Sequence, residues 1–241
     1  MKIFELSPAA ENRSERFEVP RPIPSFSGSM APTFFSLAGR DTLFTVHMEA
    51  SFSLPLYFSE RPPKGRVFED DCLEIFVRPQ SSQESFFPAP FYYGWEIGAG
   101  GTLLEYRAGI GEEGRRIVGS GNGRAVMDGS GAKAGIEPVH GILHDTIVGT
   151  LISFDYDWKS RASFTSRIDE AKGLWTVDLS IPWSDFGLSG APHGESWYFT
   201  VNRIDMSSVS SGGNPGLACL HDGIVEPRFH QPDLFSVLYI Q

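Results

Sequence analysis

Among the 30 Asp and Glu and 6 His of this 241-residue chain, Glu74, Glu96, Asp178 and His221 are the candidates for acid–base work. Hydrolysis by a pair of them requires two carboxyls on opposite sides of the bond to be broken, ~5–9.5 Å apart, a distance that spacing along a chain does not supply. His140 and His144 have the separation that holds a metal on a helix, but Gly141 and a strand-like flank argue against a helix there, and no transition metal is expected. Asp71, in an Asp-Asp pair, reads as a strand-end acid that accepts from nearby backbone N–H groups. Gly109-Ile-Gly-Glu-Glu-Gly114 fits G-x-G-x-x-G literally, yet no amphipathic helix is read after it and its acids would repel a pyrophosphate, so no dinucleotide site follows. Cys72 and Cys219 are the only cysteines. They exclude a disulfide scaffold and a four-cysteine zinc site and leave a single bridge open.

Any such site needs a frame. The 26 Gly and 17 Pro beside 13% aromatics set turn formers between aromatic and β-branched runs, the pattern of many short strands. A hydrophobic content of 41% over this length is enough for one domain with its own core. Residues 1–30, with Pro20, Pro22 and Pro24, carry no sustained period and read as an extended arm packed on the domain. Residues 31–241 read as a single domain. The stretch from Gly109 to Gly141 reads as long loops with one short strand around Arg116 to Val118.

Alternation assigns the faces of the strands, because successive side chains of a strand point to opposite sides. Leu73, Ile75 and Val77 share an apolar face, with Cys72, Glu74 and Phe76 opposite. Tyr93, Trp95 and Ile97 likewise oppose Tyr92, Gly94 and Glu96. Trp175, Val177, Leu179 and Ile181 face inward against Thr176, Asp178 and Ser180, and Trp197, Phe199 and Val201 against Tyr198, Thr200 and Asn202. Arg203 follows the inward parity, which makes it either a strand-end residue, an ion-pair partner or a ligand group. Glu74 is either a ligand group or a structural acid paired with Arg203 or Arg78. Runs at Leu43–Met48, Phe52–Phe58 and Phe235–Ile240 complete a set of eight or more short strands. Covering so many apolar faces against one another predicts an all-β fold, a two-sheet antiparallel, jelly-roll-like β-sandwich with long loops.

The blocks Phe68-Glu-Asp-Asp-Cys-Leu-Glu-Ile-Phe-Val77, Tyr92-Tyr-Gly-Trp-Glu-Ile97 with Gly101-Thr-Leu-Leu-Glu-Tyr-Arg107, Trp175-Thr-Val-Asp-Leu-Ser-Ile-Pro182, Phe199-Thr-Val-Asn-Arg-Ile-Asp205 and Phe229-His-Gln-Pro-Asp-Leu-Phe235 resemble, in order and spacing, those of the family 9 carbohydrate-binding modules. The resemblance covers about residues 40 to 241. It implies a sandwich that binds sugars without covalent chemistry, clamping a terminal unit between two aromatic rings while polar side chains read its hydroxyls. A pyranose has an apolar C–H face for a ring and a rim of hydroxyls for acids and amides. By this resemblance Phe68 stands where the family often has a stacking Trp, Glu74 matches an acid of the first block, and Glu96 and Asn202 fall at polar contact positions. The implied ligand-binding set is Phe68, Glu74, Glu96 and Asn202, with Arg203 and His221 beside them. Leu220 stands where a second stacking Trp is usual, so Tyr92, Trp158 or His221 substitutes, the ligand differs, or binding has been lost.

The expected function is therefore non-catalytic recognition of a mono- or oligosaccharide. The alternatives are a glycan-active enzyme built on the Glu, Asp and His residues, and a haem-binding sandwich with Met and His as axial ligands. No cofactor is expected, although loop carboxylates and carbonyls are compatible with a structural calcium. A formal net charge of -10, with 20 dispersed Lys and Arg, disfavours nucleic acid and favours an uncharged or cationic ligand. No window approaches the ~20 apolar residues of a membrane span, and residues 1–8 lack the ~7–15-residue apolar stretch of a secretory signal. A cytoplasmic location follows only if this is the full native product.

Overall fold

The computed structural model describes residues 3–7, 15–20, 30–82, 85–119, 138–206, 209, 215–221, 223–224 and 228–241. Its strands, in chain order, are β1 (Ile3–Leu6), β2 (Phe17–Val19), β3 (Thr33–Gly39), β4 (Leu43–Ser51), β5 (Cys72–Arg78), β6 (Gln80–Ser82), β7 (Ser85–Pro88), β8 (Phe91–Gly98), β9 (Leu103–Ile110), β10 (Ile142–Ile147), β11 (Thr150–Asp155), β12 (Ser163–Asp169), β13 (Leu174–Pro182), β14 (Ser196–Asp205), β15 (Gly216–Cys219) and β16 (Ser236–Ile240). One helix among the described residues, α1 (Gly111–Val118), follows β9. No described helix is long and apolar enough to cross a membrane.

Among the described residues a nine-stranded sheet runs β1-β16-β14-β5-β8-β9-β11-β10, with β15 on the far half of β14, and a five-stranded sheet runs β12-β13-β4-β3-β2. A separate hairpin pairs β6 with β7. The pairing is antiparallel except for β1 on β16. The two large sheets pack face to face as an all-β sandwich. The strict alternation of β13 is reproduced in its burial, and Trp175, Val177, Leu179 and Ile181 meet Leu73, Ile75, Val77, Trp95, Trp197, Phe199 and Val201 across the interior. Trp95, Trp175, Trp197 and Phe199 are core residues, as their phase with Val, Leu and Ile required.

A feature that the alternation did not announce is a second apolar layer on the outer face of the large sheet. There Cys72, Phe76, Tyr92, Leu104, Tyr106, Ile152, Phe154, Phe229 and Phe235 cluster. Strand β5 is consequently buried on both faces along its whole length. The loops before β5 and after β15 cover this face, which converts polar-face positions of an ordinary sandwich into interior ones.

Three local readings change. Residues 3–6 and 17–19 are sheet members, with Phe4, Leu6 and Val19 buried in the inter-sheet core. Residues 52–58 form no strand: Pro55 lacks an N–H for a ladder, and the chain bends at Ser53–Leu54 after β4 ends. Arg116 to Val118 belong to α1 rather than to a strand, so a helix does begin inside the glycine motif. Gly109 and Gly114 of the motif serve close packing, since a Cβ on Gly109 would lie 2.2 Å from the Gly114 carbonyl oxygen and one on Gly114 2.3 Å from that of Pro90. His144 lies on β10 and bonds Ser153 on the neighbouring strand, so the His140/His144 pair has no helix to share. Cys72 and Cys219 are buried free thiols, which closes the question of a bridge.

Candidate ligand-binding site

The register of the large sheet lines up the polar positions. Asn202 on β14 lies opposite Glu74 on β5, and Glu74 opposite Glu96 on β8. All three project from the outer face, because they alternate with core residues Val201, Ile75 and Trp95. A continuous chain of hydrogen bonds runs through them. Asn202 Nδ2 donates to Glu74 Oε2 at 3.2 Å, and Thr200 Oγ1 donates to Asn202 Oδ1 at 2.8 Å. With its proton so used, the Thr200 hydroxyl accepts from His221 Nδ1 at 3.0 Å, which places the histidine proton on Nδ1. On the other side Tyr106 donates its hydroxyl to Glu96 Oε1 at 2.7 Å.

That last bond depends on a glycine. Gly94 stands directly opposite Tyr106 on β9, and a Cβ there would lie 2.3 Å from the tyrosine ring. The missing side chain lets the ring lie across the sheet and deliver its hydroxyl to Glu96.

Glu74 and Glu96 are 2% and 3% exposed. One oxygen of each lies within 4.8 Å of the other and of Cys72 Sγ. Burial pushes the Glu74 carboxyl well up, the facing Glu96 adds to this, and the Asn202 bond offsets only part. Burial likewise pushes Glu96 up to about 7 against the opposing Tyr106 bond. Two like charges in a dry setting cannot both be held cheaply, so the pair keeps a proton into neutral solution and titrates as a unit. Neither Arg203 nor Arg78 pairs with Glu74. Arg78 is bonded to the Ala89 carbonyl and to Asp233.

Above the pair opens a cavity of about 560 Å³. Glu74 and Glu96 are part of its lining, and Phe68, Phe154, Tyr156, Phe229 and His230 supply rings, with Ile204, Met206, Leu143 and Leu217 as aliphatic wall. Phe68 comes from the single 3-10 turn Val67–Glu69 that precedes β5, with the Arg66 guanidinium 5.6 Å from its ring centre. Phe154 and Tyr156 alternate at the end of β11 and stack on each other with centres 5.9 Å apart. His230 is pinned by the Tyr92 hydroxyl at Nδ1 and stacks on Phe76, and burial pushes its pKa down to about 3, so it is neutral. The acids near the mouth are neutralised: Asp145 pairs with Arg228 at 2.8 Å and Glu69 with Arg66 at 2.6 Å.

Of the residues singled out in the sequence, the cavity brings together Phe68, Glu74 and Glu96. Asn202 and His221 are behind them, reaching the cavity only through Glu74 and Thr200. Arg203 is on the opposite face: it donates to the Ser51 carbonyl at 2.8 Å, to Thr33 and to Asp205, between the two sheets. Its inward parity decided that. Of the three rings named as substitutes for the second platform, none lines the cavity. Tyr92 is fully buried beneath it, Trp158 packs on Tyr93 and Trp95 in the other layer, and His221 is engaged with Thr200. Leu220 is in the inter-sheet core. Asp71 caps backbone, accepting from the N–H groups of Tyr57 and Met206, and burial still pushes it up to about 6. Asp178 is on the small sheet with His47, 2.9 Å away, and shares no space with the glutamate pair.

Sequence alone gives no ligand role to the walls at Phe154, Tyr156, Phe229 and His230. The alternation Ile152, Phe154, Tyr156 marks one face of a strand, but only the pairing of β11 with β9 brings that face over the acids.

No family model matches the sequence, and neither does any curated protein. Solved structures do match in fold. A Bacteroides uniformis ATCC 8492 protein named a "putative carbohydrate-binding protein" superposes with a TM-score of 0.61 at 16% identity, over 100% of this chain and 98% of that one. A family 9 carbohydrate-binding module from Caldicellulosiruptor kristjanssonii, solved with glucose, gives 0.56 at 12% identity over 100% and 96% of the two chains. A structure of such a module from the same organism with cellotriose gives 0.55 at 12% identity, over 100% and 94%. With the whole length aligned and the outer-face cavity in view, this chain has the fold of the family 9 carbohydrate-binding modules.

Proposed function

We propose that the protein binds a saccharide reversibly in the outer-face cavity, without breaking a bond. The observation that carries this reading is the cavity itself: about 560 Å³, walled by aromatic rings and floored by two carboxyls. Its size falls in the ~300–1,000 Å³ range of small-molecule sites, whose mostly apolar lining is oriented by a few polar groups. Ring faces pack against the C–H face of a pyranose while Glu74 and Glu96 accept from, or donate to, its hydroxyls according to the proton they share. Phe68, Glu74 and Glu96 are the contact residues, and Asn202 is a positioning residue that acts through Glu74. The sugar complexes of structures with the same fold support the ligand class. Catalysis is disfavoured by the placement of the acids, which stand side by side on adjacent strands rather than flanking a bond from opposite sides.

Calorimetric titration against a panel of mono- and oligosaccharides, with product analysis for each ligand bound, tests this. Saturable binding without hydrolysis is expected, weakened at least ten-fold in Phe68→Ala with the melting curve otherwise retained. Turnover would reassign the cavity to an enzyme, and silence across the panel would remove the sugar reading.

A further inference from the structure

The negative charge of the cavity is unevenly answered. At the mouth each acid has its own arginine, Asp145 with Arg228 and Glu69 with Arg66. On the floor, Glu74 and Glu96 have no Lys or Arg partner among the described residues; their polar partners are an amide and a phenol, both uncharged. Glu96 Oε2 is moreover a buried carboxylate oxygen with no hydrogen-bond partner. A buried acceptor without a partner is costly, more so when charged, so the floor has a place for a donor.

We infer that the ligand is an amino sugar, presenting a protonated amine to the Glu74–Glu96 pair while its ring packs against Phe68 and the neighbouring aromatic walls. An ammonium brings three donors and one positive charge. It satisfies Glu96 Oε2, offers a donor to Glu74, and replaces the shared proton as the counter-charge of the pair. A hydroxyl of a neutral sugar supplies one donor and no charge, so with such a ligand the pair still relies on its retained proton. The aromatic walls favour a cation as well, since the faces of Tyr and Phe rings attract one. The net charge of -10 concentrates cations around the molecule. This inference rests on the saccharide reading and narrows it to one class.

The test titrates the chelator-treated full chain at pH 7 with glucosamine, glucose and N-acetylglucosamine, and with the corresponding short oligomers. Glucosamine units are expected to bind at least ten-fold more tightly than either neutral counterpart. The preference should fall in Glu96→Gln and in Glu74→Gln and vanish in the double variant, whereas Phe68→Ala should weaken charged and neutral sugars alike. Equal affinity for glucosamine and glucose in the native protein overturns the amine while leaving saccharide binding in place. A preference that survives in the double Gln variant, or that appears only before chelator treatment, also overturns it. Failure of every sugar removes the reading beneath it. Because the three sugars are compared on unaltered protein, the comparison decides the matter even where a variant does not fold.

Discussion

Glu96 is held by three neighbours with opposite effects: Glu74 across the strand pair, the Tyr106 hydroxyl, and the dry surroundings. Tyr106→Phe keeps the ring over Gly94 and removes only the donor. The loss is expected to destabilise the fold by about 1–3 kcal/mol, because a buried acceptor loses its partner. The deficit should grow with pH as the carboxylate form is demanded, and urea titrations at pH 6 and pH 8 measure it. The same chemistry gives a sign for the native protein. The folded pair, together with Asp71, binds protons more tightly than unfolded carboxyls do, so stability falls as pH rises from the ordinary values, 3.8 for Asp71 and 4.5 for Glu96, to about 6 and about 7, with Glu74 raised in the same direction. His230 acts in reverse. Its folded pKa of about 3 lies below the ordinary histidine value of 6.5, so its neutral form opposes folding increasingly as pH falls through that interval. The two windows overlap in mild acid, and just above pH 6.5 His230 no longer contributes while the acids still do. There the denaturation midpoint of the native protein should decline, and decline less in Glu96→Gln, where Glu74 is still buried but has lost its acidic neighbour.

At the scale of elements, the site is made by approach distances that only glycine permits. Strands β8 and β9 lie side by side, and Gly94 gives up its side chain to make room for Tyr106. Gly94→Ala puts a methyl group 2.3 Å from that ring. It is expected to cost about 1–3 kcal/mol by overpacking and to weaken saccharide binding by displacing the hydroxyl from Glu96, read by thermal melts and by titration of the same sample. Helix α1 is docked by a similar device, Gly109 against Gly114. Gly114→Ala should destabilise the fold while leaving the affinity of the folded fraction unchanged, because the helix lies away from the cavity lining. The two substitutions thus separate packing that shapes the site from packing that only supports the sheet.

For the whole molecule, two layers on either side of the large sheet divide the labour. The inter-sheet core carries stability, and Arg203 belongs to it, fully buried and bound to Thr33, Ser51 and Asp205. Arg203→Met withdraws a buried guanidinium from Asp205 and is expected to cost about 3–5 kcal/mol. Its effect on saccharide affinity should be under two-fold in protein that remains folded, as titration below the melting range would show. The outer layer holds the cavity and is the thinner of the two, built from loops and from the outward faces of β5, β8, β9 and β11. The first strand closes the sandwich: Phe4 packs edge-on against Phe17 and Phe199 at 4.8 and 5.1 Å.

Period-two alternation was enough to find β5, β8, β13 and β14, to place the tryptophans in the core, and to set Glu74, Glu96 and Asn202 on the face away from it. Those are properties of a strand's own pleat, which side-chain order dictates. The order of blocks also pointed to the sandwich. What the sequence left undecided depends on pairing between strands distant along the chain. Registration of Asn202 with Glu74 and of Glu74 with Glu96 puts three residues, from positions 74 to 202, in one row. Coverage of that row by Phe68, Phe154, Tyr156 and Phe229 makes it the buried floor of a mostly apolar cavity, and that burial raises the pKa values of its acids. The inward turn of Arg203 gained a meaning only when β3 and β4 supplied its partners. Alternation distinguishes one face of a strand from the other, but it carries no information about what lies across each face, and that was decided by tertiary structure alone.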